Sequence, residues 1–253
     1  MANSIFEMQE GKKHLDTAAS YYLTGWIYNC MKEYEKSLDF HLKALQIREN
    51  NLGIDHPVSA NSYSAIGHTY ANKGEYQKSI VFESKALNIR IKHLGEEHID
   101  TAQSLVHLSD IHYNLEDYDM ALKCHLKALS IREKVLGTNH PNTAYSYCYI
   151  GLIYDKLKDY TKSLEYFLKL SPICQKVYGA NHSNTINSYK NISDAYRKIG
   201  NITMAQEYEQ KAIQDIEKMG NKRFFNLGER KTTIRYASFL LENSAIIGRQ
   251  STL

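Results

Sequence analysis

The sequence predicts an all-α solenoid, a stack of helix–turn–helix units rather than one globular core. Three observations carry that reading. Gly11, Gly53, Gly95, Gly137 and Gly179 recur every 42 residues, and each is followed three positions later by a histidine: His14, His56, His98, His140 and His182. Self-similarity at a period of roughly 20–50 residues marks units that cannot bury their apolar faces alone and must stack. Within a unit, Tyr63, Ile66, Gly67 and Tyr70 fall on one helical stripe, as do Tyr147, Ile150, Gly151 and Tyr154. Small residues recur where two helices of a unit must cross. Features shared by every unit are structural, so function is sought where the units differ.

The chain starts inside the pattern. Ile5-Phe6-Glu7 aligns with Ile47-Arg48-Glu49, so residues 1–16 read as the end of a partial preceding repeat, expected in a fragment or as an orphan helix turn. Five units follow, 17–58, 59–100, 101–142, 143–184 and 185–226, opening at Thr17, Ser59, Thr101, Thr143 and Thr185. In the second unit the first helix (helix A) carries the stripe above and stops at Asn72-Lys73-Gly74-Glu75, where glycine closes a helix C-terminus. The second (helix B) runs from about Tyr76 to His93 with Ile80, Ala86, Leu87 and Leu94 toward the core. Leu52, Leu94 and Leu136 close three such helices, and the glycines after them, with Gly179, are expected in the left-handed conformation.

Close approach of A to B needs the small row Gly25, Gly67, Ser109, Gly151, Ser193, and in helix B Ser37, Ser79, Ala121, Ser163, Ala205 and Ala44, Ala86, Ala128, Leu170, Ala212. Leu170 breaks the last row, and Ser171-Pro172 follows it. Pro172 removes a donor for the carbonyl of Leu168, so a kink or break is expected within a turn of Ser171. Residues 227–253 read as a degenerate capping helix and tail, with Ile234 to Asn243 helical and Arg230, Lys231 and Arg235 on a solvated face.

Composition excludes several classes. Of 253 residues, 43% are hydrophobic and 23% charged, as in an ordered chain. A net charge of +3 with dispersed basic residues leaves no nucleic-acid footprint. No apolar run approaches the ~20 residues of a membrane span, and MANSIFEMQE has no signal-peptide pattern, so neither membrane insertion nor secretion is expected. A cytoplasmic chain follows, with Cys30, Cys124, Cys148 and Cys174 as reduced, packing thiols and the sequons at Asn191 and Asn201 unmodified. The repeated histidines are expected to satisfy backbone groups in the loops. Stacked units set equivalent atoms about 10 Å apart, whereas zinc needs ligands at about 2 Å. No phosphate-binding loop, nucleophile elbow or His-Glu-x-x-His segment is present, so no enzyme, metal, cofactor or small-molecule substrate is expected.

The order aromatic, apolar, Gly, Tyr in helix A and Tyr, small, Ala in helix B resembles the tetratricopeptide repeat (TPR). Its usual period is about 34, so 42 lengthens each unit by about two helical turns. Residues 44–49, 128–137 and 139–144 (ALQIRE, ALSIREKVLG, NHPNTA) resemble the long repeats of kinesin light chains and nephrocystin-3, and the resemblance covers roughly residues 5–219. It implies a right-handed superhelix whose A helices line a peptide-binding groove. The kinesin-light-chain pattern implies an Asn-Asn pair that holds the peptide backbone. Here only Asn191 remains, beside Lys190, and no carboxylate clamp is visible.

Read across the units, the implied groove positions are Tyr22, Ser64, Val106, Cys148, Lys190; then Leu23, Ala65, His107, Tyr149, Asn191; then Trp26, His68, Asp110, Leu152, Asp194; then Asn29, Ala71, Tyr113, Asp155, Arg197. The groove is expected to be aromatic at Tyr22 and Trp26 and basic at Lys190, Arg197 and Lys198, with Tyr145 and Tyr149 between. It would suit a segment with an apolar anchor and acidic residues. The expected function is non-enzymatic protein–protein recognition, as a scaffold or adaptor that binds a peptide segment through Tyr22, Trp26, His68, Asp110, Tyr145, Tyr149, Lys190, Asn191, Asp194 and Arg197. The alternatives are a regulatory TPR segment of a larger signalling enzyme or receptor, or a cargo-adaptor fragment.

Overall fold

The computed structural model describes residues 14–224, with side chains described for 14–218. The partial repeat at Ile5-Phe6-Glu7 and the capping helix at 234–243 lie outside the described residues. Within them the chain is all α and forms five A–B pairs. These are α1 Leu15–Cys30 with α2 Tyr34–Leu52, α3 Pro57–Lys73 with α4 Tyr76–Leu94, α5 Ile99–Asn114 with α6 Tyr118–Leu136, α7 Pro141–Lys156 with α8 Tyr160–Tyr178, and α9 Ser183–Lys198 with α10 Ile202–Phe224. The contacts divide into two compact bodies, Met1–Thr138 and Asn139–Leu253, described here as the N-terminal and C-terminal bodies.

The loop before each A helix explains the glycine–histidine spacing. Gly53, Gly95, Gly137 and Gly179 stop the B helices with φ of 93°, 92°, 82° and 88°. Their ψ values of 158–166° differ from the left-handed helical expectation and place them in a region open essentially to glycine alone. The reason lies six residues on. Ser59, Thr101 and Thr185 donate their hydroxyls to the carbonyls of Gly53, Gly95 and Gly179 at 3.1, 2.8 and 2.7 Å, which requires that flipped peptide. The histidines between are N-caps. Nδ1 of His14, His56, His98, His140 and His182 accepts the backbone N–H two residues later at 3.1–3.2 Å, satisfying one orphan donor of each A helix.

Left-handed geometry occurs at the A–B turn instead. Gly74 closes α3 as expected (φ 85°, ψ 7°). The equivalent Lys32, Glu116 and Lys158 have φ of 61–62° despite carrying side chains, and Gly200 has 83°. The turn is held by backbone bonds such as Glu75 N–H to the Tyr70 carbonyl at 2.9 Å, so three non-glycine residues accept the strain.

The helix crossings are as tight as the small residues require. A Cβ on Gly25 would meet the His41 ring at 2.6 Å, and one on Gly151 would meet Phe167 at 2.5 Å. Where serine replaces glycine its hydroxyl is used. Ser109 donates to the Ala121 carbonyl and Ser193 to that of Ala205, both at 2.8 Å. In the N-terminal body Leu38, Leu45, Ala60, Tyr63, Ile66, Ala86 and Ile89 form one core cluster, and each large side chain so buried contributes roughly 1.5–3 kcal/mol. Arg48 and Arg90 fasten one repeat to the next, donating to Ser62 and Ser104 at 2.7 and 2.6 Å.

The break expected at Pro172 does not occur: α8 runs unbroken from Tyr160 to Tyr178. Phe167, Leu170, Ile173 and Cys174 are buried on one side of it. Pro172 and Leu168 lie on the exposed side, where water can take the carbonyl the proline leaves without a donor.

Candidate functional site

In the N-terminal body the helix-A positions that vary between repeats come together over a second variable row that lies beneath them in helix B. Helical spacing puts Tyr22, Trp26 and Asn29 on one face of α1, Ser64, His68 and Asn72 on α3, and His107, Asp110 and Asn114 on α5. Beneath them, opposite the small crossing residues, sit His41, Glu83 and His125, all 0–1% exposed.

At one end the site is aromatic. Trp26 is half-buried, with its ring 6.3 Å from Tyr22, 5.8 Å from His41 and 5.0 Å from His68 (centroid distances). His41 forms the floor under Tyr22 and Trp26, and neither of its ring nitrogens has a hydrogen-bond partner among the described residues. Burial, helped by the positive charge of Arg48 and by His68, pushes its pKa down to about 4, so it packs as a neutral ring. His68 continues the row, 6.0 Å from the His107 ring. Its Nδ1 lies 3.2 Å from the side-chain amides of both Asn29 and Asn72, and Asn72 also donates to Asn29 Oδ1 at 3.2 Å.

The other end is a cleft of about 490 Å³, part of it open to solvent, lined by His68, Ala71, Asn72, Ser79, Glu83, His107, Asp110, Ile111 and Asn114. Glu83 is its floor. Ser64 donates to Glu83 Oε2 at 2.8 Å. Oε1 has no hydrogen-bond partner, lying 3.5 Å from His107 Nδ1 and 3.8 Å from Arg90 Nη1. Burial opposes ionisation of Glu83, but His107, Ser104 and Ser64 outweigh it and hold the carboxyl below its ordinary value. Asp110 goes the other way. Burial raises its pKa to about 6 against the pull of His107 and Arg132, and its Oδ1 is buried without a hydrogen-bond partner.

The remaining expected site residues lie in the C-terminal body. Tyr145 is exposed and Tyr149 half-buried, with ring centroids 4.3 Å apart. Asn191 points its amide at Cys148 Sγ, 4.0 Å away, and Lys190 is half-buried. Asp194 and Arg197 are exposed, but Arg197 is held by Glu209 at 3.0 Å and Asp194 at 3.7 Å, while Lys198 is paired with Asp155. Most of the charge expected to make this end basic is therefore neutralised locally.

Sequence reasoning assigned Ser64 and His107 to the groove but missed His41 and Glu83. The available signal was the row His41, Glu83, His125, Phe167, Glu209, where one helix-B position facing a small residue changes chemistry at each repeat. Among the described residues no cluster of three or more His, Cys, Asp or Glu has metal-binding geometry, and no helix is long and apolar enough to cross a membrane.

Residues 27–92, 100–170 and 148–218 match the family profile described as Tetratricopeptide repeat. No curated protein sequence matches the chain. Among solved structures it is similar to a Podosopora anserina putative kinesin light chain with nearly identical TPR-like repeats (18% identity, TM-score 0.72, covering 81% of this chain and 98% of that one). It is also similar to BtubC (BKLC) from P. vanneervenii (17% identity, TM-score 0.74, covering 91% and 89%). A third is YrrB, described as a TPR protein with an unusual peptide-binding site (19% identity, TM-score 0.55, covering 85% and 92%).

Proposed function

We propose, from the premise that this chain belongs to the tetratricopeptide-repeat family, that it is a non-enzymatic protein-interaction module which binds an extended peptide segment across its A-helix face. Membership of this family and the peptide-binding site described for YrrB, one of the structural neighbours, support the general reading. The observation that carries the specific one is Trp26, the only tryptophan of the chain, half-buried, edge-on to Tyr22 and His41 and tilted against His68. An aromatic side chain fixed by its neighbours and still partly open is the kind of anchor that dominates peptide affinity. In the C-terminal body, taken by itself, Tyr145, Tyr149, Lys190, Asn191, Asp194 and Arg197 are the residues proposed for its A-helix face.

The test is to select binders from a displayed random-peptide library on the full chain and measure them by calorimetric titration. Trp26→Ala should weaken binding by about 2 kcal/mol, roughly 30-fold. Binding that survives Trp26→Ala unchanged but is lost with Val81→Asp, a change on an exposed helix-B position, would place the partner on the opposite face and overturn the reading.

A further inference from the structure

We infer that the cleft over Glu83 and Asp110 is a subsite for a cationic side chain, a lysine or arginine carried by the bound peptide. The inference deepens the peptide-binding reading above and rests on it.

Two carboxyl groups line this cleft and no lysine or arginine does. Each presents a buried oxygen without a hydrogen bond among the described residues: Asp110 Oδ1, and Glu83 Oε1, which has only looser ion pairs with His107 Nδ1 at 3.5 Å and Arg90 Nη1 at 3.8 Å. Glu83 is 1% exposed. A buried carboxylate oxygen left without a donor is costly, and a charged donor supplied from outside removes that cost while being selected by it. The local cations do not fill the role. Arg90 is tied to Ser104 at 2.6 Å and Asn61 at 3.0 Å, and Arg132 donates to Gln103 at 3.1 Å. His68 is held below its ordinary pKa, first by burial and then by His107, so it faces the cleft as a neutral ring. Ionised Glu83 is thus partly offset by Arg90 behind it, and Asp110 supplies the charge that an incoming cation neutralises. Ala71 and Ile111 give the walls an apolar part against which the methylene stem of a lysine or arginine can lie.

The test uses small probes on the full chain. N-acetyl-arginine N-methylamide and its lysine counterpart are titrated while the His68 and His107 ring resonances are followed by NMR. N-acetyl-citrulline N-methylamide, equal in shape to the arginine probe and uncharged, is the control. The cationic probes should shift both rings saturably, and citrulline should bind at least tenfold more weakly. Glu83→Gln should abolish the arginine response. Asp110→Asn, whose altered oxygen has no protein partner to lose, should weaken it about tenfold and keeps the test decisive if Glu83→Gln costs folding.

Library-selected peptides separate the two readings. Peptides that need Trp26 but carry no lysine or arginine preference and ignore Asp110→Asn leave the groove standing and sink the subsite. A saturable, Asp110-dependent arginine response in a chain that selects no peptides establishes the subsite and sinks the groove. Equal shifts with citrulline, or none with either cation, overturn the inference.

Discussion

Gly25 lies so close under His41 that a Cβ on the glycine would meet the imidazole at 2.6 Å, and Gly151 stands in the same relation to Phe167, at 2.5 Å. The same backbone crossing therefore accepts either ring. Phenylalanine at position 41 would keep the shape and remove two buried nitrogens that have no partner. His41→Phe should raise stability by about 1 kcal/mol, read as an increased urea midpoint with unchanged slope. Gly25→Ala should lower it by about 1–3 kcal/mol. A destabilised His41→Phe would mean that the nitrogens are satisfied in the folded chain.

Acid should weaken the N-terminal body. Burial followed by Arg48 and His68 holds His41 at about 4, and burial followed by Arg132 holds His125 at about 3. Unfolded, both titrate near about 6.5. Below that pH the unfolded chain binds protons the folded chain refuses, so stability falls as pH drops from 6.5 through 4 toward 3. Asp110 acts oppositely: its folded pKa of about 6 against a model value of 3.8 favours the folded state at low pH, a gain lost as pH rises between the two. His68 and Glu83, both held below their ordinary values, act in the same direction as the two histidines, so the balance against Asp110 is a net acid loss. The double variant His41→Phe, His125→Phe should flatten the fall of the urea midpoint between pH 6.5 and 4, and an equally steep fall would refute the assignment.

Backbone conformation gives opposite signs at two loop positions. Gly137, with φ 82° and ψ 166°, has open space around its Cβ position, so any cost of Gly137→Val is conformational. It should reach about 1–3 kcal/mol. Lys158→Gly should instead stabilise by up to about 1 kcal/mol, since a side-chain-bearing residue sits there at φ 62°. Thermal melts of the two variants check the signs.

Pro172→Ala should stabilise the C-terminal body by about 1–3 kcal/mol, because it restores a donor for the Leu168 carbonyl in a helix that is already continuous. A neutral or negative effect would show that the helix has adapted to the proline. Hydrogen exchange across Tyr160–Tyr178 locates the change.

The repeat architecture was legible because period, helical stripe and small crossings agree from unit to unit, with Leu170 the exception. What escaped depends on partners distant in sequence. The glycines announced positive φ, but the region they occupy is set by hydroxyls such as Thr101, which reach back to the glycine carbonyl. Lys32, Glu116 and Lys158 are left-handed without being glycine because the turn between two packed helices dictates it. Pro172 was read by a local rule that the buried face of α8 overrides. The basic end dissolved once Glu209 and Asp155 were seen beside Arg197 and Lys198. Glu83 looked like a core position of an amphipathic helix, and it is one. Its chemistry is exceptional only beside His41 and His125 at the same place in neighbouring repeats.

That row bears on alignment between host and guest. Beneath Trp26, His68 and Asp110 the floor reads imidazole, carboxylate, imidazole, all at 0–1% exposure. For the peptide proposed above, a displacement by one repeat would carry its cation from Glu83 onto His41 or His125, neutral rings with no charge to offer. Under that proposal translational slippage, the weakness of any surface built from repeated steps, would be penalised from below, by side chains the guest need hardly touch.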